Sequence, residues 1–411
     1  MHRIDFVKAR QILDSRGNPT IEVEVGSGRF RAIGSAPSGA STGSREALEL
    51  RDHGKEFLGR SVRKAVDNVN REIAPRLKGM DPTEQREIDQ AMIELDGTPN
   101  KSRLGANAIV ACSMACSRLG AICRGMELYE HLADTYGFEP RLLPIPAMNL
   151  INGGKHAGND LDIQEHMIFP IGAKSFSDAL RYGVEIYHVL KEKIISKYGK
   201  SAVNVGDEGG YAPPLKDTRE ALDLLTKAIE EMGYENEVKL ALDSAATELF
   251  DGKNYRLGGK LYSSDELIDF YKEMIETYEI VSIEDPFAED DWKGFVEFTK
   301  CFGNKIQIVG DDLFVTNADR LREGIERGAC NAILLKVNQV GTISEAIDTA
   351  KLAFENGYKV MVSHRSGETC DDFIADLSVA INSGQIKTGA PARGERVSKY
   401  NRLLRIEEMI A

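Results

Sequence analysis

Val238-Lys-Leu-Ala-Leu-Asp243 is a short apolar run that ends on a carboxylate, and five later runs repeat the plan. Ile280-Val-Ser-Ile-Glu284 and Ile306-Gln-Ile-Val-Gly-Asp311 also close on acids, whereas Ala332-Ile-Leu-Leu-Lys336, Lys359-Val-Met-Val-Ser-His364 and Gln385-Ile-Lys387 close on bases. Runs of this length, rich in Ile, Val and Leu, read as strands buried on both faces. Taken singly, such an acid pairs with a neighbouring lysine or caps the next helix, and such a lysine snorkels to the surface. Six polar tips in succession point instead to one site assembled at the mouth of a barrel, and so to an enzyme.

The tips lie about 23 to 41 residues apart, the length of a unit with one crossover helix between two parallel strands. Helical stretches fill the gaps, among them Ser264-Asp-Glu-Leu-Ile-Asp-Phe-Tyr-Lys-Glu-Met-Ile275 and Thr342-Ile-Ser-Glu-Ala-Ile-Asp-Thr-Ala-Lys-Leu-Ala353. Right-handed crossovers bring the C-terminal ends of all the strands to one face, and in a (β/α)8 barrel that face carries the chemistry. An open doubly wound sheet is the alternative topology. No Gly-x-Gly-x-x-Gly follows a strand, which disfavours its dinucleotide-binding form.

With 411 residues, 42% of them hydrophobic, the chain buries a substantial core and is expected to form two domains rather than one. A net charge of −13 argues against a general nucleic-acid or membrane-surface binder, because phosphate backbones and anionic lipids repel an acidic surface. No run of about 18 apolar residues stands out as a bilayer span, and Met1-His-Arg-Ile-Asp5 lacks the apolar core of a signal peptide, so the expected location is cytoplasmic. Of the six cysteines, Cys112, Cys116 and Cys123 fall in one helix of small residues and Cys301, Cys330 and Cys370 are scattered. The helical spacing of Cys112 and Cys116 admits a metal pair, but no third thiol or histidine completes a ligand pattern.

The first 135 residues have a different texture. Ile4 to Leu13, Thr20 to Val25 and Arg29 to Ile33 alternate apolar and polar residues across Gly, Asn and Ser turns, the pattern of an antiparallel meander. Asp81-Pro-Thr-Glu84 predicts a helix start, with Asp81 at the N-cap, Pro82 at the first turn and Ile88, Met92 and Leu95 following at helical spacing. Gly105 to Cys123 predicts a close-packed helix. Tyr136-Gly-Phe-Glu-Pro-Arg-Leu-Leu-Pro-Ile-Pro146 carries one glycine and three prolines, which marks a boundary near 136 to 143 between a domain of residues 1–135 and one of residues 136–411.

Ten segments stand in order along the chain: Asp14-Ser-Arg-Gly-Asn-Pro-Thr20, Pro37-Ser-Gly-Ala-Ser-Thr-Gly43, Asn152-Gly-Gly-Lys-His-Ala-Gly-Asn159, Gln164-Glu165, Gly206-Asp-Glu-Gly-Gly210, Ser282-Ile-Glu-Asp-Pro286, Gly310-Asp-Asp-Leu313, Leu334-Leu-Lys-Val-Asn-Gln339, Ser363-His-Arg-Ser-Gly-Glu-Thr369 and Ile386-Lys-Thr-Gly-Ala-Pro391. Together they make the chain resemble the enolase family over essentially its whole length. The resemblance implies an α/β fold, a barrel of the ββαα(βα)6 kind behind an N-terminal α+β domain, with a first hairpin made by Pro146 to Leu150 and Gln164 to Pro170. It implies dehydration of 2-phosphoglycerate to phosphoenolpyruvate in glycolysis and gluconeogenesis. It also implies a homodimer or a larger homo-oligomer such as an octamer. Compact surface connections resemble archaeal members, and His166 stands where an aromatic is common in the family.

That reaction removes a proton next to a carboxylate, so negative charge accumulates on one small group and cations are the natural counterweight. Asp243, Glu284 and Asp311 offer the all-oxygen set that suits Mg²⁺; the resemblance implies a second Mg²⁺ held with Ser41, although the Ser38 to Gly43 loop by composition alone reads as a flexible connection. Lys336 is the expected base, its pKa depressed by Lys387 and the metals. This Lys-plus-Mg²⁺ arrangement is a recognised pattern of enolase-superfamily sites. Glu208, with Glu165 opposite, is the expected general acid, its pKa raised by a neighbouring acid and substrate charge. His156 is expected to close over the substrate on glycine hinges, Arg365 and Ser366 to grip its phosphate, Lys387 to neutralise its carboxylate, and His364 to line it. Arg16 and Arg405 are weaker candidates. A related acid dehydratase or racemase, or a non-catalytic binding protein, would share the barrel.

Overall fold

The computed structural model describes residues 2–40 and 42–410, so Ser41 lies outside the described residues. Among these, eight strands close into a barrel whose neighbours around the ring follow chain order. They are Ile145–Asn152, Glu165–Phe169, Lys239–Asp243, Ile280–Glu284, Gln307–Gly310, Ala332–Leu335, Lys359–Ser363 and Gly384–Lys387. The second strand runs antiparallel to both neighbours and the others pair in parallel. Two helices, Phe176–Tyr198 and Thr218–Met232, follow the opening hairpin, and each later strand is followed by its own main helix. This is the ββαα(βα)6 order, and it replaces the open-sheet alternative.

The barrel interior is a packed core of Ala147, Met167, Phe169, Ala241, Val309, Ala332, Leu334 and Met361. Because strand side chains alternate with period two, these residues determine what points inward at the mouth. Counting two residues on from Ala241, Val309 and Leu334 gives Asp243, Asp311 and Lys336; counting two back from Met167 on the reversed strand gives Glu165. The reversal is why a residue at the start of the second strand joins groups at the ends of the others.

Phe6–Leu13, Pro19–Ser27 and Phe30–Ser35 form the expected antiparallel meander. The helix Ala106–Arg124 packs against it with nearly all of its residues buried. By length and composition this helix could cross a membrane, contrary to the expectation that no such run exists, but most of it is buried inside the fold; its Ala, Ser, Cys and Gly side chains let the sheet approach closely. All six cysteines are free. The expected cap at Asp81 is not used. Asp81 accepts hydrogen bonds from the backbone N–H and hydroxyl of Thr83 at 3.1 and 2.8 Å, a local turn that competes with capping, and the helix spans Gln85–Asp96.

Candidate active site

At the barrel mouth the Lys387 ammonium lies 2.9 Å from Asp243 Oδ2, 2.8 Å from Glu284 Oε2 and 3.1 Å from Glu165 Oε1. Asp243 and Glu284 are register neighbours on adjacent strands, so their carboxylates are forced together. Lys336 donates to Asp311 Oδ2, whose other oxygen accepts from Gln339 at 2.9 Å. Asp285 accepts the backbone N–H groups of Asp311 and Asp312 at 2.9 and 2.7 Å and so positions that turn.

Loops supply the other wall. The Gly206 to Gly210 turn presents Glu208, and a Cβ at Gly210 would lie 2.1 Å from Asn152 Oδ1 and 2.7 Å from the Asn149 carbonyl, so glycine is required there. Asn149 donates to Glu208 Oε2 at 3.1 Å. His156 Nδ1 is 3.5 Å from both Glu165 Oε1 and Glu208 Oε1, and the Asp207 N–H donates to the His156 carbonyl at 2.9 Å, tying the two loops. Arg365 makes a forked pair with Glu46 at 2.9 and 3.0 Å. Next to it, the buried Ser366 hydroxyl has no hydrogen-bond partner among the described residues. Arg16 donates to the carbonyls of Ser38 and Gly39 at the rim, whereas Arg405 is exposed on the last helix.

The titration pattern follows from this geometry. Burial and the Glu208 charge push Glu165 well above the usual carboxylate range. Burial also opposes ionisation of Glu208, but His364 and His156 outweigh it and hold Glu208 well below that range. The expectation of a raised Glu208 is therefore corrected: the raised member of the pair is Glu165, because Glu208 alone faces both histidines and Asn149. Burial likewise works against the Lys336 ammonium, yet Asp311 overcomes burial and the repulsion of Arg365 and Lys387 and holds its pKa above lysine's ordinary value. Lys387 does lower it, as expected from the sequence, but Asp311, whose approach to this ammonium the sequence did not signal, outweighs that effect. Burial opposes Lys387 too, and Asp243, Glu165 and Glu284 hold it well above.

The donor set fits a hard cation. Asp243, Glu284 and Asp311 present only carboxylate oxygens, and Glu284 Oε1 is buried with no hydrogen-bond partner among the described residues, a cost unless something electropositive meets it. Among the described residues, the groups whose ligand atoms all lie close enough to one another to hold an ion are Asp285 with Asp311 and Asp312, and His156 with Glu165 and Glu208, whereas Asp243 and Glu284 are spanned by the Lys387 ammonium. A cavity of about 800 Å³ lies elsewhere, against the meander and residues 368–371; it contains none of the strand-end groups, so chemistry rather than size identifies the site.

Two family models match the chain, one described as the enolase N-terminal domain over residues 4–132 and one as the enolase C-terminal TIM barrel domain over residues 140–411. The chain belongs to the enolase family. It is 62% identical to the enolase of Methanocaldococcus jannaschii over 98% of this chain and 95% of that one. It is 61% identical to the enolase of Pyrococcus furiosus over 99% and 95%, and 60% identical to that of Methanopyrus kandleri over 100% and 97%. Likeness of this extent places it with enolases rather than with other acid dehydratases or racemases.

Within this enolase-family site, several groups carried no signal in the sequence reading. Glu46, Asn149 and Arg396 sit in unremarkable contexts, Gln339 was noted only as the end of a family-like segment, and the partners of all four are remote in sequence. A fully buried arginine, Arg396, is the largest of these surprises.

Proposed function

We propose that the strand-end groups perform the enolase reaction with Lys336 as base and the Glu165–Glu208 pair as acid. The activity is that of a phosphopyruvate hydratase, a hydro-lyase: 2-phospho-D-glycerate loses its C2 proton and its 3-hydroxyl and becomes phosphoenolpyruvate, reversibly. Lys336 takes the C2 proton once its ammonium is released from Asp311 and deprotonated, and Arg365 and Lys387 both favour its neutral form. Glu165 and Glu208, each within reach of one His156 nitrogen, titrate as a pair holding one proton that resides on Glu165, and that proton leaves with the hydroxide. Lys387 offsets the substrate carboxylate, Arg365 and Ser366 hold the phosphate, and His156 and His364 exclude water. Asp243, Glu284 and Asp311 would hold Mg²⁺, with a second ion alongside Ser41. Bound there, Mg²⁺ stabilises the charge that develops on the substrate carboxylate.

The observation that carries this reading is the convergence of Glu165, Asp243 and Glu284 on Lys387 beside the Lys336–Asp311 pair. Adding 2-phosphoglycerate and Mg²⁺ should produce the ultraviolet absorbance of phosphoenolpyruvate, abolished by a chelator and by Lys336→Ala. Full turnover by a folded Lys336→Ala protein would overturn the assignment of the base. The same proposal includes domains of residues 1–135 and 136–411, a cytoplasmic location and a homo-oligomer, dimer or octamer, which sedimentation equilibrium distinguishes.

A further inference from the structure

We propose that Arg396 is a positioning residue that dictates the tautomer of His364 and thereby aims the ring's Nε2–H at Glu208. Arg396 lies in the first turn of the helix Gly394–Ile410 and is fully buried. Its Nη1 is 2.5 Å from His364 Nδ1 and donates to the Arg365 carbonyl at 2.6 Å. Its Nη2 donates to the Ser366 carbonyl at 2.5 Å and to the Asp207 carbonyl at 3.1 Å. One side chain thus ties the segment after the seventh barrel strand to the residue preceding Glu208.

A guanidinium has donors and no acceptor, and it does not deprotonate in a protein. His364 Nδ1 must therefore accept, which leaves the proton of a neutral ring on Nε2. A charged ring would set an Nδ1–H against an Nη1–H, donor to donor, so the same contact excludes the imidazolium. Burial acts in the same direction, pushing the His364 pKa down to about 3. The Nε2 so protonated lies 3.4 Å from Glu208 Oε1, while Asn149 donates to the other carboxylate oxygen. Asn149 is the neutral donor that bonds Glu208, His364 Nε2 has no hydrogen-bond partner among the described residues, and Arg396, which does not touch Glu208, decides that the proton on Nε2 faces its carboxylate. Space around the contact is tight. Gly389 has φ +80°, and a Cβ there would lie 2.7 Å from the Glu208 carbonyl, 3.0 Å from Arg396 Cδ and 3.2 Å from His364 Cε1.

The tautomer stands on geometry alone, and its catalytic consequence rests on the proposed role of Glu208. Long-range ¹H–¹⁵N spectra of protein labelled at histidine nitrogens, assigned by loss of the signal in His364→Ala, read the tautomer directly. The expected result is an unprotonated Nδ1 and a protonated Nε2 in the wild type. Arg396→Met should move the ring toward Nδ1–H and lower kcat by roughly ten- to a hundredfold with KM changed far less, the scale typical of groups that orient a reacting residue. Arg396→Lys, which keeps a donor, should restore the tautomer and part of kcat. A wild-type ring protonated on Nδ1 overturns the proposal even if no Arg396 variant folds, and so does an unchanged tautomer in folded Arg396→Met. If the tautomer moves as expected but His364→Ala retains wild-type kcat, the reading of the site fails and the clamp stands.

Discussion

Asp89 allows a stability prediction with a sign and a size. Its carboxylate is fully buried on the helix Gln85–Asp96. Its donors are all neutral: the Gln85 amide at 2.9 Å, the Ser113 hydroxyl at 2.6 Å, and the Ser344 N–H and hydroxyl at 3.0 and 2.7 Å. Ser344 lies in the first turn of the barrel helix Ile343–Glu355, so Asp89 fastens an N-terminal helix to a barrel element that follows Lys336. Burial raises its pKa from 3.8 to about 6, the four hydrogen bonds offsetting only part of the penalty. The folded state therefore binds this proton more tightly than the unfolded chain does. The resulting stabilisation is fully present below about pH 4 and is lost as pH rises through about 6, a span of about 3 kcal/mol. Asp89→Asn does not titrate. The unfolding free energy of the wild type minus that of Asp89→Asn should therefore fall by about 1.5 kcal/mol between pH 5 and pH 8. Urea titrations at fixed protein concentration measure it, because urea is uncharged and any subunit association is held constant. The absolute offset between the two proteins includes whatever the asparagine amide loses against its donors, so only the pH slope is diagnostic. A difference that stays flat across this range would show that Asp89 is not held above its ordinary pKa.

Two further outcomes test other parts of the site. Glu46→Ala leaves the buried Arg365 guanidinium without its forked partner and should cost about 3 kcal/mol or more in chemical denaturation, with Glu46→Gln costing less; an Ala variant as stable as the wild type would count against that pair. Gly389→Ala places a Cβ against the Glu208 carbonyl at positive φ and should cost about 1 to 3 kcal/mol in stability while also lowering kcat, whereas undiminished turnover would mean that the Glu208 loop has room to move.

Part of this site is legible in the sequence. Asp243, Glu284, Asp311, Lys336, His364 and Lys387 were readable because a strand's period-two alternation and a parallel barrel's single polarity turn local position into spatial position. The meander and the small-residue helix were readable for the same reason, since their patterns are periodic. Glu165 and Glu208 came only through resemblance: one starts a reversed strand and the other rides a glycine loop, and neither context is periodic. Asp81 misled because an acid before Pro-Thr-Glu satisfies the rules for a cap and for a turn equally well, and the hydroxyl of Thr83 decided between them.

The sequence by itself determined the architecture and most of the groups that meet at the barrel mouth, because hydrophobic periodicity and strand polarity are properties of short segments. Only the tertiary structure decided how those groups are charged and which others hold them. Lys336 is protonated because the Asp311 carboxylate, 25 residues earlier, reaches its ammonium. Glu208 and Glu165 are driven apart in pKa because the histidines favour one of them. Arg396, which in the sequence reads as an ordinary helical arginine, is buried because His364, Arg365, Ser366 and Asp207 surround it. Electrostatic energies depend on distances between side chains remote along the chain, and local pattern does not encode those distances.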